Sequence, residues 1–431
     1  LAWANYSGLP DSWRARIEQE LAKEGLYLEI GALSYLPLRG ISASDVKVFS
    51  DPDMQDEVSQ LEYVLLDIDK SRLARGKLHF NQIELRNAQL NMPIDPSNPT
   101  AGSLVVESAS GTLLMGGSKQ FEIRSARGRI SGIDVRLNAK IQSRRPIGQS
   151  DSPERKPGQG RQLLAQITKE LARWEFDPDQ APQLVIVASA DLSRRESLEA
   201  RLELSAENFG KQGHRLEMLH AKAIIQGELL TVTQLEARDS RGQLDARMDF
   251  SLNSREGRFD VTSTLEIPPL LSAWIDLPPL PGQIVIGGGQ AIEAQGELHL
   301  PAESKPSLRM TGQFHAESVM LRGLLFDHAE SAFAWDDGNL FLRNLHLTRP
   351  DGEATGKALM LWPELSVAVH STLPAADLRP IFQGQALDSI LSDITPRESA
   401  ALNLHLEGSF DLENTRAWAC TGEGTILNSD F

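Results

Sequence analysis

The sequence predicts a mostly β fold, antiparallel and built from repeats, with a few short amphipathic helices. Three observations predict it. First, one apolar spacing of two, three and two occurs three times, as Leu78, Phe80, Ile83, Leu85, then Leu230, Val232, Leu235, Ala237, then Leu340, Leu342, Leu345, Leu347. Second, a Gly stands shortly before each copy, at Gly76, Gly227 and Gly338. Third, longer segments recur about 110 residues apart in the C-terminal half.

Side chains alternate faces along a strand, so each pair within a copy marks a half-buried strand. A three-residue step would turn the second pair to the wrong face. One extra residue at a β-bulge restores all four to one side. The alternatives are a tight turn at the step, or a leucine-rich repeat. Asn81-Gln82, Thr233-Gln234 and Arg343-Asn344 lack the Asn-Gly or Asp-Gly of a two-residue hairpin. The copies lie 152 and 110 residues apart, far from the ~20–29 of a leucine-rich repeat.

In chain order, residues 10–25 read as an amphipathic helix with Trp13, Ile17 and Leu21 on one stripe and Gly25 as its stop. Leu26, Leu28 and Ile30 start strand alternation, which Val46 and Val48 continue. Residues 103–141 are further short strands. The segment 143–160, SRRPIGQSDSPERKPGQG in its surroundings, is a polar linker or disordered insertion. Leu163, Leu164, Ile167, Leu171 and Trp174 trace a second amphipathic helix within 161–183, either a lid or a helix packed on a sheet edge. A third, short candidate lies near Leu387–Ile394.

Repetition organises the rest into a first β repeat at 184–290, a second at 291–403, and the start of a third at 404–431. LEMLHA (216–221) matches LLFDHA (324–329), and the turn ending at Gly242 matches that ending at Gly352. Ser263-Thr264-Leu265 matches Ser371-Thr372-Leu373, and Met310-Thr311-Gly312 matches Cys420-Thr421-Gly422. The expected topology is mostly antiparallel meanders, and the chain is expected to be part of a longer array.

A net charge of −16 disfavours nucleic acid and anionic membrane surfaces, which call for a basic face. Cys420 is the only cysteine, so there is neither an intrachain disulfide framework nor a cysteine-based zinc cluster. No run of 18 apolar residues is present. Apolar strand faces need a cover, and the helices are too few to supply it. Two covers are open to them: a second sheet, giving sandwiches, or an apolar ligand along a curved sheet.

The N-terminal helix followed by LYLEIGALSYLPLRGISASDVKVFSD and LEYVLLDIDKSRLARGKLHFNQIELRNAQLNM resembles the start of the AsmA-like family (AsmA/TamB/YhdP-type) of Gram-negative envelopes. Gly40-Ile41, Asp45-Val46, Leu73, Gly76, Leu78, Phe80, Ile83 and Leu85 carry the match, which makes 1–142 an N-terminal AsmA-like segment. The resemblance implies an elongated, curled antiparallel β-sheet groove. It further implies a periplasmic body and an inner-membrane anchor upstream of Leu1. The implied function is carriage of phospholipid acyl chains between the two membranes, without a cofactor and without catalysis. Leu78, Phe80, Ile83, Leu85, Leu230, Val232, Leu235, Leu340, Leu342, Leu345 and Leu347 are the expected groove lining. A rival reading is an envelope scaffold that helps outer-membrane proteins assemble through exposed strand edges; a third is a β-rich carbohydrate-active enzyme.

Other candidates for chemistry are weaker. The nine His residues show no His-Glu-x-x-His spacing, although His220 and His328 recur at equivalent repeat positions. Asp51, Asp53, Asp56, Glu57 and Glu62 suggest a cation loop, but Pro52 and the absence of the turn Gly point to a solvated acidic loop. Asp67 and Asp69 fit the wet face of a strand. Gly287-Gly288-Gly289 lacks the residues of a phosphate loop and reads as a turn.

Overall fold

A computed structural model describes residues 9–93, 103–142, 173–266, 284–301, 307–378, 395–411 and 418–430, apart from short gaps at 24–25, 37–39, 50, 56, 74, 76–77, 117–119, 178, 192–193, 362–363 and 375–376. The polar segment 143–160, most of the helix expected after it, and Leu387–Ile394 fall outside the described residues. The chain is mostly β. It forms two compact units, 1–210 with 218–233, and 211–217 with 234–431. The division therefore runs within 211–233; the boundaries at 184 and 291 mark sequence repetition, which is a different property from compactness.

In the first unit, helix α1 (Asp11–Lys23) precedes β1 (Tyr27–Leu36), β2 (Gly40–Phe49) and β3 (Glu57–Ile68). A one-turn helix α2 (Lys70–Leu73) leads to β4 (Phe80–Pro93), β5 (Ser103–Gly116), β6 (Gln120–Ile130) and β7 (Ile133–Gln142). Strands β8 (Trp174–Glu175), β9 (Gln183–Asp191) and β10 (Glu199–Lys211) come next. Each of β1 to β6 pairs antiparallel with its successor. The pairing of β7 with β9 is parallel, an exception within the mostly antiparallel arrangement. A parallel neighbour needs a crossover of a dozen or more residues, and the chain between Gln142 and Gln183, which includes the polar insertion, is long enough to supply it. Trp174, expected on a helix, instead lies on β8 and stacks on Phe209, ring centres 5.5 Å apart.

Helix α1 is amphipathic as its sequence asks, with Ile17 and Leu21 fully buried. They join Leu28, Ile30, Val46, Val64, Leu66, Ile68, Leu78 and Phe80 in one core. The helix also closes the edge of β1. Glu18 Oε1 accepts from the Ile30 N–H at 2.8 Å, Arg14 donates to the Gly31 carbonyl at 3.3 Å, and the Leu9 N–H reaches the Leu33 carbonyl at 2.9 Å. An open strand edge is a template for another strand, and these contacts occupy it.

The two-three-two spacing is resolved as a bulge. Ile68 faces Phe80 while Asp67 faces Gln82, so Asn81 is the extra residue, and Phe80, Ile83 and Leu85 share a face with Ile68, Leu66 and Val64. Further bulges occur on β4, β5 and β6. Asn87, Ser108 and Ser125 take positive φ there, a conformation short polar side chains tolerate. Their N–H groups are met from the neighbouring strand in two cases, Asn87 by Ser110 Oγ at 3.0 Å and Ser125 by Asn138 Oδ1 at 2.9 Å. Each bulge bends its strand and adds twist, so a row of them curls the sheet.

The second unit contains β13 (Gln243–Ser251), β14 (Glu256–Ser263), β16 (Ala291–His299), β17 (Ser307–Ala316), β20 (His328–Asp336), β21 (Asn339–Arg349), β22 (Gly352–Leu361), β23 (Glu364–Ser371), β24 (Thr395–Asp411) and β25 (Trp418–Asp430). Each pairs antiparallel with the next in that order. Three short strands, β15 (Ile284–Ile286), β18 (Val319–Leu321) and β19 (Leu324–Phe326), make a separate small sheet. Strands β11 (His214–Gln226) and β12 (Leu229–Arg238) contribute residues to both units.

The repeated Ser-Thr-Leu motifs do one physical job twice. Ser263 Oγ accepts from the Leu265 N–H and Ser371 Oγ from the Leu373 N–H, both at 3.2 Å, and each Leu is fully buried. Thr264 N–H bonds the Gln243 carbonyl and Thr372 N–H the Glu353 carbonyl. At Gly242 and Gly352 a Cβ would stand 2.2 Å and 2.9 Å from the carbonyl oxygen of that Thr, which explains why both turns end in Gly.

Because Ile17 and Leu21 anchor α1, Leu21→Ala is expected to cost about 2–5 kcal/mol in the first unit. Urea unfolding, combined with hydrogen exchange at Ile30, measures it. A loss near the roughly 0.5 kcal/mol of a surface change would show that the helix is not docked.

Candidate functional site

In the first unit the curl borders a half-open apolar cavity of about 400 Å³. Leu28 and Ile30 of β1 line it, and so do Val135 and Leu137 of β7. Seven flat strands would hold their outer members roughly 29 Å apart at ~4.8 Å spacing, so one cavity lined by both requires a curled sheet. Leu66 and Ile83 come from the middle strands. The lining at β5 and β6 is small: Ala109, Gly111, Ala126 and Gly128. A Cβ on Gly111 would stand 2.8 Å from Ala126 Cα, and one on Gly128 2.6 Å from Val106 Cγ1. The bulged strands are thus in close contact there, which the lack of a side chain at Gly111 and Gly128 allows. Arg127 is the single charged residue in the lining and is exposed.

The second unit presents an apolar face in register. Met248 faces Phe259, which faces Gly296, which faces Met310, which faces Trp335, which faces Leu340, which faces Met360, which faces Leu365. The row beside it runs Ala246, Val261, Ala294, Gly312, Phe333, Leu342, Ala358, Val367. From β13 to β17 the intervening positions are polar, with ion pairs such as Arg258–Glu297 at 3.4 Å and Arg309–Asp336 at 2.9 Å, whereas on β20, β21 and β22 they include Ala334, Phe341 and Leu359. Gly296 is needed because a Cβ would meet Phe259 Cζ at 2.5 Å. Met248, Phe259, Met310, Leu340, Leu342, Met360 and Val367 are only half-buried. A covered sheet would bury them; here part of the apolar face stays in water, a cost of about 25 cal/mol per Å² that a ligand can recover.

The eleven expected lining residues separate accordingly. Ile83 and Leu85 line the cavity. Leu78 and Phe80, 4% and 2% exposed, belong to the core with α1 and are not among the cavity lining. Leu230, Val232 and Leu235 are half-buried on β12. Leu340, Leu342, Leu345 and Leu347 share the apolar face of β21, where Arg343 and Asn344 oppose the single Lys357 and Asn344 takes φ 53°. Leu347, Phe314 and, from the small sheet, Ile286 pack against a buried cluster of Ala316, Val319 and Ala329, so this end of the face is covered. Sequence reading missed the lining from β5, β6 and β7; the alternation Ile133, Val135, Leu137, Ala139 signalled it, but bulges broke the period on β5 and β6.

The polar candidates have structural partners. Asp51 accepts from the Gln55 N–H in a turn, and Glu62 lies exposed on β3. Asp69 lies past β3 and caps α2; the Ser71 hydroxyl, then the Arg72 N–H, hold its carboxyl below the usual range. Asp67 accepts from Asn81 at 3.2 Å. His220 lies 3.6 Å from Glu203. Gly287 donates to the Ser318 carbonyl, and Gln290 bonds the Gly287 carbonyl, so the triple glycine is a structured turn. His214 and Asp239 form a buried pair at 3.2 Å; burial pushes the Asp239 carboxyl up, but the Arg241 N–H, His214 and the Gly242 N–H together hold it below its ordinary value. Among the described residues no three metal-ligating side chains converge, and no helix is long and apolar enough to cross a membrane.

No family model, curated protein or solved structure matches this chain.

On the polar face, His346 bridges strands β20 and β22, with Glu353 at 3.0 Å and Glu330 at 3.2 Å. Those two carboxylates, Glu353 first, raise its pKa above the ordinary ~6.5. A raised folded value means the contribution is full below the unfolded pKa and fades as pH rises through the folded one. Accordingly, an NMR titration should place the His346 midpoint above that of an unstructured histidine, and His346→Gln should flatten the decline in stability above about pH 6.5. An unshifted midpoint would rule the bridge out.

Proposed function

We propose that this chain is a noncatalytic lipid-binding conduit of the Gram-negative periplasm, of the AsmA-like kind its N-terminal segment resembles. It carries phospholipid acyl chains along apolar strand faces between inner and outer membranes, and is held at the inner membrane by a segment upstream of Leu1. The observation that carries this reading is the cavity of about 400 Å³, bounded by aliphatic side chains from seven consecutive strands. Its size lies within the ~300–1,000 Å³ of small-molecule sites. Leu, Ile and Val walls, with Arg127 exposed and the Ser110 and Thr112 hydroxyls as the other polar side chains of the lining, suit hydrocarbon far better than a buried headgroup, so headgroups stay in water. The scaffold reading has less support, because α1 occupies the β1 edge that an incoming strand would use.

Two variants test it by mass spectrometry of lipids extracted from detergent-washed protein. Ala126→Phe fills the cavity from its small-residue wall and is expected to lower the phospholipid bound per chain, with the circular dichroism spectrum unchanged. Val232→Asp combined with Leu342→Asp is expected to lower it further without unfolding. Lipid-free wild-type protein would overturn the proposal, and global unfolding of the double variant would show that these residues are core.

A further inference from the structure

Histidines line up across the polar face of the second unit. His315 on β17 stands opposite Glu330 on β20, Glu330 opposite His346 on β21, His346 opposite Thr355 on β22, and Thr355 opposite His370 on β23. At the head of β20, His328 brings its ring to that of His315, centres 6.3 Å apart and planes 26° from parallel. Both residues are exposed. Three exposed carboxyl residues flank them: Glu317, two positions after His315; Asp327, next to His328; and Glu330, two positions after His328 and directly across from His315. His346 is already engaged, both ring nitrogens facing carboxylates.

We propose that His315 and His328 form a two-imidazole site for a first-row divalent metal ion, with water completing the coordination. A metal–imidazole bond of ~2.0–2.1 Å puts each ring centre roughly 3 Å from the ion, so two rings on one ion have centres roughly 4.5 Å apart at a right angle and roughly 6 Å apart when trans to each other. The observed 6.3 Å matches a trans pair, the arrangement available in a square-planar Cu²⁺ site, once each exposed ring turns about its last torsion to aim a nitrogen inward. No carboxylate converges with the two rings among the described residues, so the ligands are the imidazoles and water, and the chain's net charge of −16 favours cations in general. Neutral imidazole donors rank Cu²⁺ above Zn²⁺. His220, the repeat counterpart of His328, lies beside Glu203 rather than a second imidazole, so the pair is a property of one repeat only. This site is independent of the lipid reading and lies on the opposite face of the strands from the apolar rows.

The test is titration of the metal-stripped full chain with Cu²⁺, read by calorimetry and by electron paramagnetic resonance, which counts coordinating nitrogens. One site per chain with two nitrogen ligands is expected. His315→Ala and His328→Ala should each weaken it by about tenfold or more, Glu330→Gln less, and His370→Ala not at all. No stoichiometric uptake, uptake that survives both histidine variants, or loss of uptake in His370→Ala would each overturn the assignment.

Discussion

Everything in this molecule depends on keeping apolar side chains on one side of long strands. A strand that simply alternates loses that face whenever a residue is inserted, because its period is two and a slip of one turns every side chain over. The bulges at Asn81 and at Arg343-Asn344 take up the extra residue, so that Ile83 and Leu85 succeed Phe80, and Leu345 and Leu347 succeed Leu342, on a shared face. The same device bends the strand. Register and curvature therefore come from one local feature, whose energetic cost is limited because polar side chains on adjacent strands receive the bulge N–H groups at Asn87 and Ser125.

The two units use that face differently. In the first, successive bulges on β4, β5 and β6 curl the sheet until β1 and β7 border one cavity, and α1 seals the outer edge with two fully buried side chains. In the second, the face is wide and its large residues half-buried, and the small sheet of β15, β18 and β19 covers only the end near Phe314 and Leu347. The repeated Ser-Thr-Leu locks hold strand ends in the second unit at equivalent places, which lets one pattern be copied without redesigning its borders.

Much of this was legible in the sequence because it rests on local periodicity. The helix stripe of Trp13, Ile17 and Leu21, the bulge spacing and the Gly242 and Gly352 turns all derive from neighbouring residues. What escaped is long-range. Leu78 and Phe80 carry the same pattern as Ile83 and Leu85, yet docking of α1 places the first pair in a closed core. The parallel β7–β9 pair depends on a crossover that periodicity cannot reveal. The cavity wall from Ala109, Gly111, Ala126 and Gly128 has no apolar signature, since its residues are small and set by close contact between bulged strands. The His315–His328 pair arises from strand pairing alone.

The most direct measurement is lipid photo-crosslinking in the intact protein from single positions on the two faces of β21 and β22. A photoreactive side chain at Leu342, on the apolar face, should capture phospholipid, and one at Lys357, on the polar face, should not. Equal capture from both positions, or none from Leu342, would contradict a lipid-wetted strand face.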